Sequence, residues 1–344
     1  MSVQNRTLVT GGAGFIGSHL VRRLLATGHR VIVLDDLSSG DVSNLPSNAN
    51  LEFVRGTILD LDLVSALVGK VDSIYHLAEF IPNTAQYGYG HVVKFSTNNP
   101  LLDFDVNLRG TLNVIEAARK SHVKTVYTST AAVYGETNEP RNKETSSVTP
   151  VSPYGTSKLA SEMFCNLYHR IYDLPVSVVR IFNAYGPRQR KYIMYDILER
   201  LYRNPSLLEV LGNGNQLRDF IYVDDVVDAL IHLGAKEAYG EVFNLGTSIP
   251  TSIKDLVDEI IRILAIHPQI KFTGKTWMGD IRSSVANIDK LQGLGYSPKT
   301  SLEHGLKEFI AWYLSTEKPK LVGVNSSIPY GNESHQDSSF PQNR

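Results

Sequence analysis

Apolar positions in the first half of the chain switch repeatedly between short continuous runs and helical spacing. Residues 6–10 form one such run, a glycine-rich turn follows, and Phe15, Ile16, Leu20, Leu24 and Leu25 then recur every three or four positions before Gly28. This predicts a buried strand, a turn and an amphipathic helix. Strand-like runs follow at residues 30–34, 52–55 and 73–76, and a helical stretch over 108–119 leads into a strand over 123–129. Such alternation predicts an α/β fold: a doubly wound parallel sheet with helices on both faces.

A further helix is expected from Ser152-Pro153, where serine can cap and proline suits the first turn, to about Tyr172, ahead of a strand over 176–180. After Arg180 the rhythm breaks. Pro187, Pro205, Gly212, Gly214, Gly246 and Pro250 punctuate shorter elements, with helices expected near 193–202, 224–233 and 253–266. The expected organisation is a dinucleotide-binding domain over 1–180, a smaller α/β substrate domain over 181–318, and a Ser, Asn, Gln and Pro-rich tail over 319–344 without periodicity. No internal repeat is seen.

Composition narrows the function classes. With 42% hydrophobic and 20% charged residues the chain is that of a globular protein, and its formal net charge of -1 creates no field to gather nucleic acid or an anionic membrane. Its single cysteine, Cys165, lies in an apolar helical run and reads as buried filler. No apolar run approaches the roughly 20 residues of a membrane span, no signal-like start is present, and the cytoplasm is the expected compartment. The histidines show no metal-ligand spacing, so no metal is expected.

The turn from Gly11 to Gly17 (GGAGFIG) stands between the first strand and the first helix. Glycines there let the backbone approach a pyrophosphate, whose charge meets the free N–H groups of the helix start. Asp35 ends the second strand 18 residues after Gly17, where its carboxylate can accept hydrogen bonds from both adenosine ribose hydroxyls and would repel a 2′-phosphate. No arginine follows in Asp36-Leu37-Ser38-Ser39, so NAD is expected rather than NADP.

Tyr154 and Lys158 lie four residues apart and project from one face of their helix. To act as a base near neutral pH, a tyrosine must lose about 3 pKa units, or roughly 4 kcal/mol. A lysine ammonium about 4 Å away supplies about that much at an effective dielectric near 20. The expectation is therefore an acid–base pair with a depressed phenol. Upstream, Thr130 leaves the end of a strand where open α/β sheets bind ligands, and its hydroxyl can steer a substrate oxygen.

With these features, residues from about Thr7 to Leu314 resemble the extended short-chain dehydrogenases that act on nucleotide sugars, most closely the sugar 4-epimerases. The likeness is carried by the glycine turn, Asp35-Asp36-Leu37-Ser38, His76-Leu77-Ala78, Asn107 within VNLRGT, Thr130, Tyr154, Lys158, Asn183 within FNAYGPR, and Arg218 within RDFIYVDD. The resemblance implies an NAD-dependent isomerase with Thr130, Tyr154 and Lys158 as catalytic residues. It places the cofactor against Gly11, Gly14, Phe15, Ile16, Gly17, Asp35, Asp36, Ser38, Ile58, Leu77, Ala78, Asn107, Tyr154 and Lys158. The substrate, a nucleotide sugar expected to be UDP-linked, would meet Thr130, Tyr154, Asn183, Arg218 and Arg282. A homodimer is implied as well. By the same likeness, Tyr154 removes the 4-hydroxyl proton, Lys158 holds the nicotinamide ribose, and hydride leaves to NAD and returns on the other face.

Three positions depart from the family's pattern. Thr57 replaces an acid that meets the adenine amino group, and Trp277 stands where an arginine often grips the diphosphate, leaving Arg282 as its substitute. The segment 79–105, with Tyr87, Tyr89, His91 and Lys94, is longer than usual and is either a lid or extra wall beside the sugar or a surface excursion. Two other functions compete with epimerisation. One is a 4,6-dehydratase or related nucleotide-sugar oxidoreductase on the same scaffold, although dehydratases of this class carry acids where this chain has Ala131-Ala132. The other is a non-catalytic NAD sensor, which would have no need of Tyr154 and Lys158.

Overall fold

The computed structural model describes residues 5–80, 92–275 and 281–317. Tyr87, Tyr89, His91, Trp277 and the tail over 319–344 lie outside these, as does the side chain of Lys94. The expected strands appear within a residue of their predicted limits: β1 (Arg6–Thr10), β2 (Arg30–Asp35), β3 (Leu51–Arg55), β4 (Ser73–His76), β5 (Lys124–Thr130) and β6 (Val176–Ile181). Downstream come β7 (Asn183–Tyr185), β8 (Leu207–Val210), β9 (Leu217–Arg218), β10 (Phe220–Tyr222) and β11 (Val242–Leu245), then β12 (Thr251–Ser252), β13 (Gln269–Phe272) and β14 (Ser283–Ser284).

Seven strands form the large parallel sheet in the order β11-β6-β5-β4-β1-β2-β3. The order in which successive strands are added reverses between β1 and β4, and open sheets bind ligands at that crevice, beyond the carboxyl ends of the strands. Helices α1 (Phe15–Ala26), α2 (Leu61–Val68), α3 (Val92–Asn98), α4 (Pro100–Phe104), α5 (Gly110–Ser121) and α6 (Pro153–Tyr172) follow one another in the first part of the chain. They are succeeded by α7 (Tyr192–Arg203), α8 (Val223–Gly234), α9 (Ile253–Leu264), α10 (Asp289–Gly293) and α11 (Leu302–Trp312). Leu20 and Leu24 of α1 and Val226 and Leu230 of α8 bury one face of the sheet, while Val64 of α2, Val114 and Ile115 of α5 and Cys165 of α6 bury the other. The Cys165 thiol is fully enclosed, and burial pushes its pKa upward.

The helix expected over 108–119 begins later, at Gly110, because residues 105–109 form one wider π turn. Segment 79–105, as far as it is described, is a wall: Val93 and Phe95 are buried, and α3 and α4 pack against α6. A second lobe is built around Tyr185, Leu198, Leu201, Val257, Ile260 and Phe309 from α7, α9, α11 and the small sheets. The chain does not stay there after residue 180. Strand β11 pairs with β6, Val242 beside Val178, and α8 covers the large sheet, because β6 would otherwise expose an apolar edge.

Inside the first lobe, the Glu162 carboxylate of α6 takes hydrogen bonds from Arg180 of β6 at 3.0 and 2.7 Å, and both side chains are almost fully enclosed. Ser129 of β5 bonds to the same carboxylate, and Arg180 reaches Tyr134 at 2.9 Å. Removing one partner of a buried pair strands the other charge, at about 3–5 kcal/mol. Glu162→Ala is therefore expected to lower unfolding stability in urea by that amount, whereas a change under about 1 kcal/mol would show that the pair does not fix α6.

Candidate active site

The crevice at the strand reversal opens into a cavity of about 1180 Å³ that runs from the glycine turn across the carboxyl ends of β4 and β5 into the second lobe. That is ample for two large ligands side by side. At one end lie Gly11, Gly14, Phe15, Ile16, Gly17, Asp35, Asp36, Ser38, Thr57, Ile58, Leu77 and Ala78. Gly11 has φ +70°, and a Cβ there would sit 2.8 Å from the Ala78 backbone nitrogen. Helix α1 begins at Gly14 with no side-chain cap and no acid in its first turn, so its free N–H groups face the cavity as an anion site.

Asp35 is buried at the end of β2, and its two carboxylate oxygens accept from the Ala13 and Leu37 backbone N–H groups, each at 2.9 Å. Burial raises its pKa, while those two N–H bonds oppose the rise. Each oxygen retains a lone pair for a ribose hydroxyl. The Thr57 hydroxyl accepts from the Leu59 N–H at 3.2 Å, and its side chain borders this end of the cavity. These residues fit a dinucleotide. His76 at the end of β4 is bonded to Thr10 at 2.7 Å and Thr111 at 3.0 Å, and burial, with help from Lys158, drives its pKa down to about 3, so it stays neutral.

Helix α6, which carries Tyr154 and Lys158, starts as expected, with the Ser152 hydroxyl accepting from the Gly155 N–H at 3.1 Å and Pro153 in its first turn. Tyr154 and Lys158 lie on one face and Thr130 borders the same part of the cavity. The expected depression of the phenol by lysine is not what this geometry produces. The Tyr154 hydroxyl donates to Glu79 at 2.9 Å, and its pKa is held well above the ordinary value, first by burial and then by the Glu79 charge, with the Thr130 hydroxyl opposing. Lys158 is almost fully buried, 3.4 Å from the same Glu79 oxygen and 4.7 Å from the centre of the Tyr127 ring. Burial alone would lower its pKa, but Tyr127 and Glu79 outweigh that and keep the ammonium charged.

Not every expected residue reaches the cavity. Asn107 stands behind the wall: its side chain accepts from the Phe80 N–H at 2.8 Å and donates to Ser157 at 3.3 Å. Asn183 borders the cavity with its amide on the Asp219 carbonyl at 3.1 Å, and Arg218 borders it with Nη1 on the Leu217 and Ile281 carbonyls at 2.9 Å. The acids that follow Arg218 in the same motif are engaged elsewhere, Asp224 with His19 and Asp225 with the Lys299 and Thr300 N–H groups. Arg282 is 79% exposed and clamped to Glu136 at 2.8 Å outside the cavity lining.

Sequence reasoning missed Glu79, Arg188 and Lys191, all of which border the cavity. Burial lowers the Lys191 pKa to about 8 against the pull of Glu79. The signal available for Glu79 was its place three residues after the end of β4, on the sheet edge where ligands bind.

The model of the NAD dependent epimerase/dehydratase family matches residues 7–246. The chain belongs to that family. Among its relatives, the UDP-glucose 4-epimerase of Mycolicibacterium smegmatis is 38% identical over 319 residues, covering 90% of this chain and 98% of that one. The solved UDP-glucose 4-epimerase of Thermotoga maritima with UDP-glucose superposes with TM-score 0.83 at 34% identity, over 91% of this chain and 99% of that one. The dTDP-glucose 4,6-dehydratase of Streptomyces venezuelae, solved with NAD bound, gives TM-score 0.82 at 30% identity, over 91% and 98% of the two chains. NAD is thus the cofactor of this epimerase/dehydratase fold, and the glycine turn and Asp35 are the features here that suit it. Among the described residues no cluster of His, Cys, Asp and Glu side chains is arranged to hold a metal, and no helix is long and apolar enough to cross a membrane.

A 2′-phosphate facing Asp35 costs more than about 1.4 kcal/mol, one decade of affinity. Calorimetric titration is expected to show NAD binding at least tenfold more tightly than NADP, and equal affinities would remove Asp35 from the ribose site.

Proposed function

We propose that this protein is a nucleoside-diphosphate-sugar 4-epimerase acting on a UDP-linked sugar, and the observation that carries the reading is the meeting of Thr130 and Tyr154 beside a dinucleotide cradle in one cavity, with Lys158 buried behind them one turn along the same helix. Bound NAD supplies the acceptor that takes hydride from the sugar, leaving a 4-ketose, and the donor that gives it back. The chain's own groups do the rest. Tyr154 takes and returns the 4-hydroxyl proton, Thr130 orients that oxygen, and the Lys158 ammonium beneath them holds the neighbouring ribose. Asn183, Arg218 and Arg188 face the diphosphate end, and Arg188 suits an anion because its Nε is buried without a hydrogen-bond partner. Arg282 joins them only by releasing Glu136. The exposed apolar side chains Leu101 and Phe104 of α4 and Met163 of α6 support a homodimer.

Epimerisation is favoured over dehydration because Ala131 and Ala132 border the cavity directly after Thr130, and a methyl group cannot protonate a departing hydroxyl. A sensor has no use for a buried tyrosine at the cavity with a buried lysine one turn behind it.

Incubation with UDP-sugars is expected to give an isomer of unchanged mass. A product lighter by one water, or free reduced cofactor in stoichiometric amount, would overturn the reading.

Tyr154→Phe is expected to lower turnover by at least two orders of magnitude, with substrate affinity changing far less, since a positioned acid–base group contributes about 10²–10⁴-fold. Near-normal turnover in steady-state assays would mean that another group moves the proton.

A further inference from the structure

We infer that Glu79 is the proton acceptor for Tyr154, so that the carboxylate and the phenol work as a two-step relay. The inference rests on the epimerase reading above. Its observation is a single oxygen, Glu79 Oε2, that accepts the Tyr154 hydroxyl at 2.9 Å and faces the Lys158 ammonium at 3.4 Å. The carboxylate borders the cavity and its side chain is 22% exposed, so it lies against the reacting end and not in the core.

The backbone around Glu79 is fixed on both sides. The Ala78 N–H donates to Thr10 at 3.2 Å, and the Phe80 N–H donates to Asn107 at 2.8 Å. That gives Asn107 a function from behind the wall: it positions the carboxylate. The Tyr154 N–H is in turn held by the Ser96 hydroxyl at 3.2 Å, so the phenol and its acceptor are set from separate anchors. Among the described residues, the charged and titratable groups acting on Glu79 besides Tyr154 and Lys158 of α6 are Lys191 and Tyr192 at the start of α7 and Asp103 of α4.

A phenol that donates to a carboxylate in a buried site resists ionisation, which is a poor starting point for a free phenolate base. The relay removes the need for one. As the sugar hydroxyl gives its proton to Tyr154 Oη, the phenol proton passes to Glu79 Oε2, in step with the loss of the carbon-bound hydride that bound NAD would accept. On the return leg each transfer reverses, so protons and electrons balance and the site ends as it began. Two cations nearby, Lys158 and Lys191, offset the charge of the carboxylate between turnovers.

Two measurements on the full chain with bound NAD test this. The first is the pH profile of turnover for the wild type, Glu79→Gln and Glu79→Asp. In Glu79→Gln the acid limb should lie at least one pH unit above that of the wild type, where Tyr154 itself must ionise, with turnover at neutral pH at least tenfold lower; Glu79→Asp, which keeps a carboxylate, should leave the limb close to the wild-type position. A limb that stays in place or moves down in Glu79→Gln overturns the relay, and a purely structural role would lower turnover without moving the limb.

The second needs no turnover: near-ultraviolet titration of the tyrosinate, with Tyr154→Phe subtracted. Tyr154 is expected to ionise at lower pH in Glu79→Gln than in the wild type. Identical titrations would show that the contact is absent in solution. If the wild type isomerises no nucleotide sugar, the epimerase reading fails, while this titration still decides whether Glu79 governs the phenol.

Discussion

The site depends on the buried ion pair between Glu162 of α6 and Arg180 of β6. A helix lying on a sheet can slide and rotate, because apolar packing is non-directional, whereas a guanidinium and a carboxylate with fixed hydrogen-bond directions cannot. Three elements converge on this pair: α6, which carries Tyr154 and Lys158, β5, which carries Thr130, and β6, whose end leads to Asn183. The Tyr134 hydroxyl extends the network by donating to Asn244 of β11 at 2.7 Å. The relative placement of Tyr154, Lys158, Thr130 and Asn183 is thus set by buried polar contacts among Glu162, Arg180, Ser129 and Tyr134, of which Ser129 alone borders the cavity.

The same division between deep polar anchors and a reactive surface recurs elsewhere. Asp219 is fully buried and its oxygens accept from the Thr247, Ser248 and Ala286 N–H groups at 2.7, 2.9 and 3.1 Å, fixing the turn next to Arg218. Burial raises its pKa, and the hydroxyl and N–H bonds from residue 247 lead the groups that oppose the rise. His76 between two threonines does the equivalent work at the end of β4. Buried polar groups in this molecule are mostly satisfied this way, and Arg188 Nε, at the cavity, is one that is not.

Much of this was legible in the sequence, for local reasons. Strand and helix limits came from short continuous apolar runs and from apolar spacings of three or four, and the turn that borders the cavity from glycines in a fixed position between β1 and α1. The Ser152-Pro153 signal placed the start of α6 correctly because a cap is a contact between near neighbours. What stayed hidden depended on distant residues. Glu79 meets Tyr154 across 75 positions, and nothing in its flanking sequence reveals which phenol it will face. The predicted lowering of that phenol failed for the same reason: spacing along a helix named the lysine but not the carboxylate between them. Arg282 shows the converse, a suitable side chain whose partner, Glu136, lies on another loop.

The path of the chain between its lobes limits how such a protein can diversify. Three separate stretches build the second lobe, and between the first two the chain returns to supply α8 and β11 to the sheet. One recombination event therefore cannot exchange that lobe for another, since any single crossover would also remove an edge strand and a covering helix from the cofactor domain. New substrate preferences on this scaffold must accumulate by point changes and loop replacements around an unchanged frame, and a residue such as Lys191, just before α7 and bordering the cavity, is where such a change disturbs the frame least.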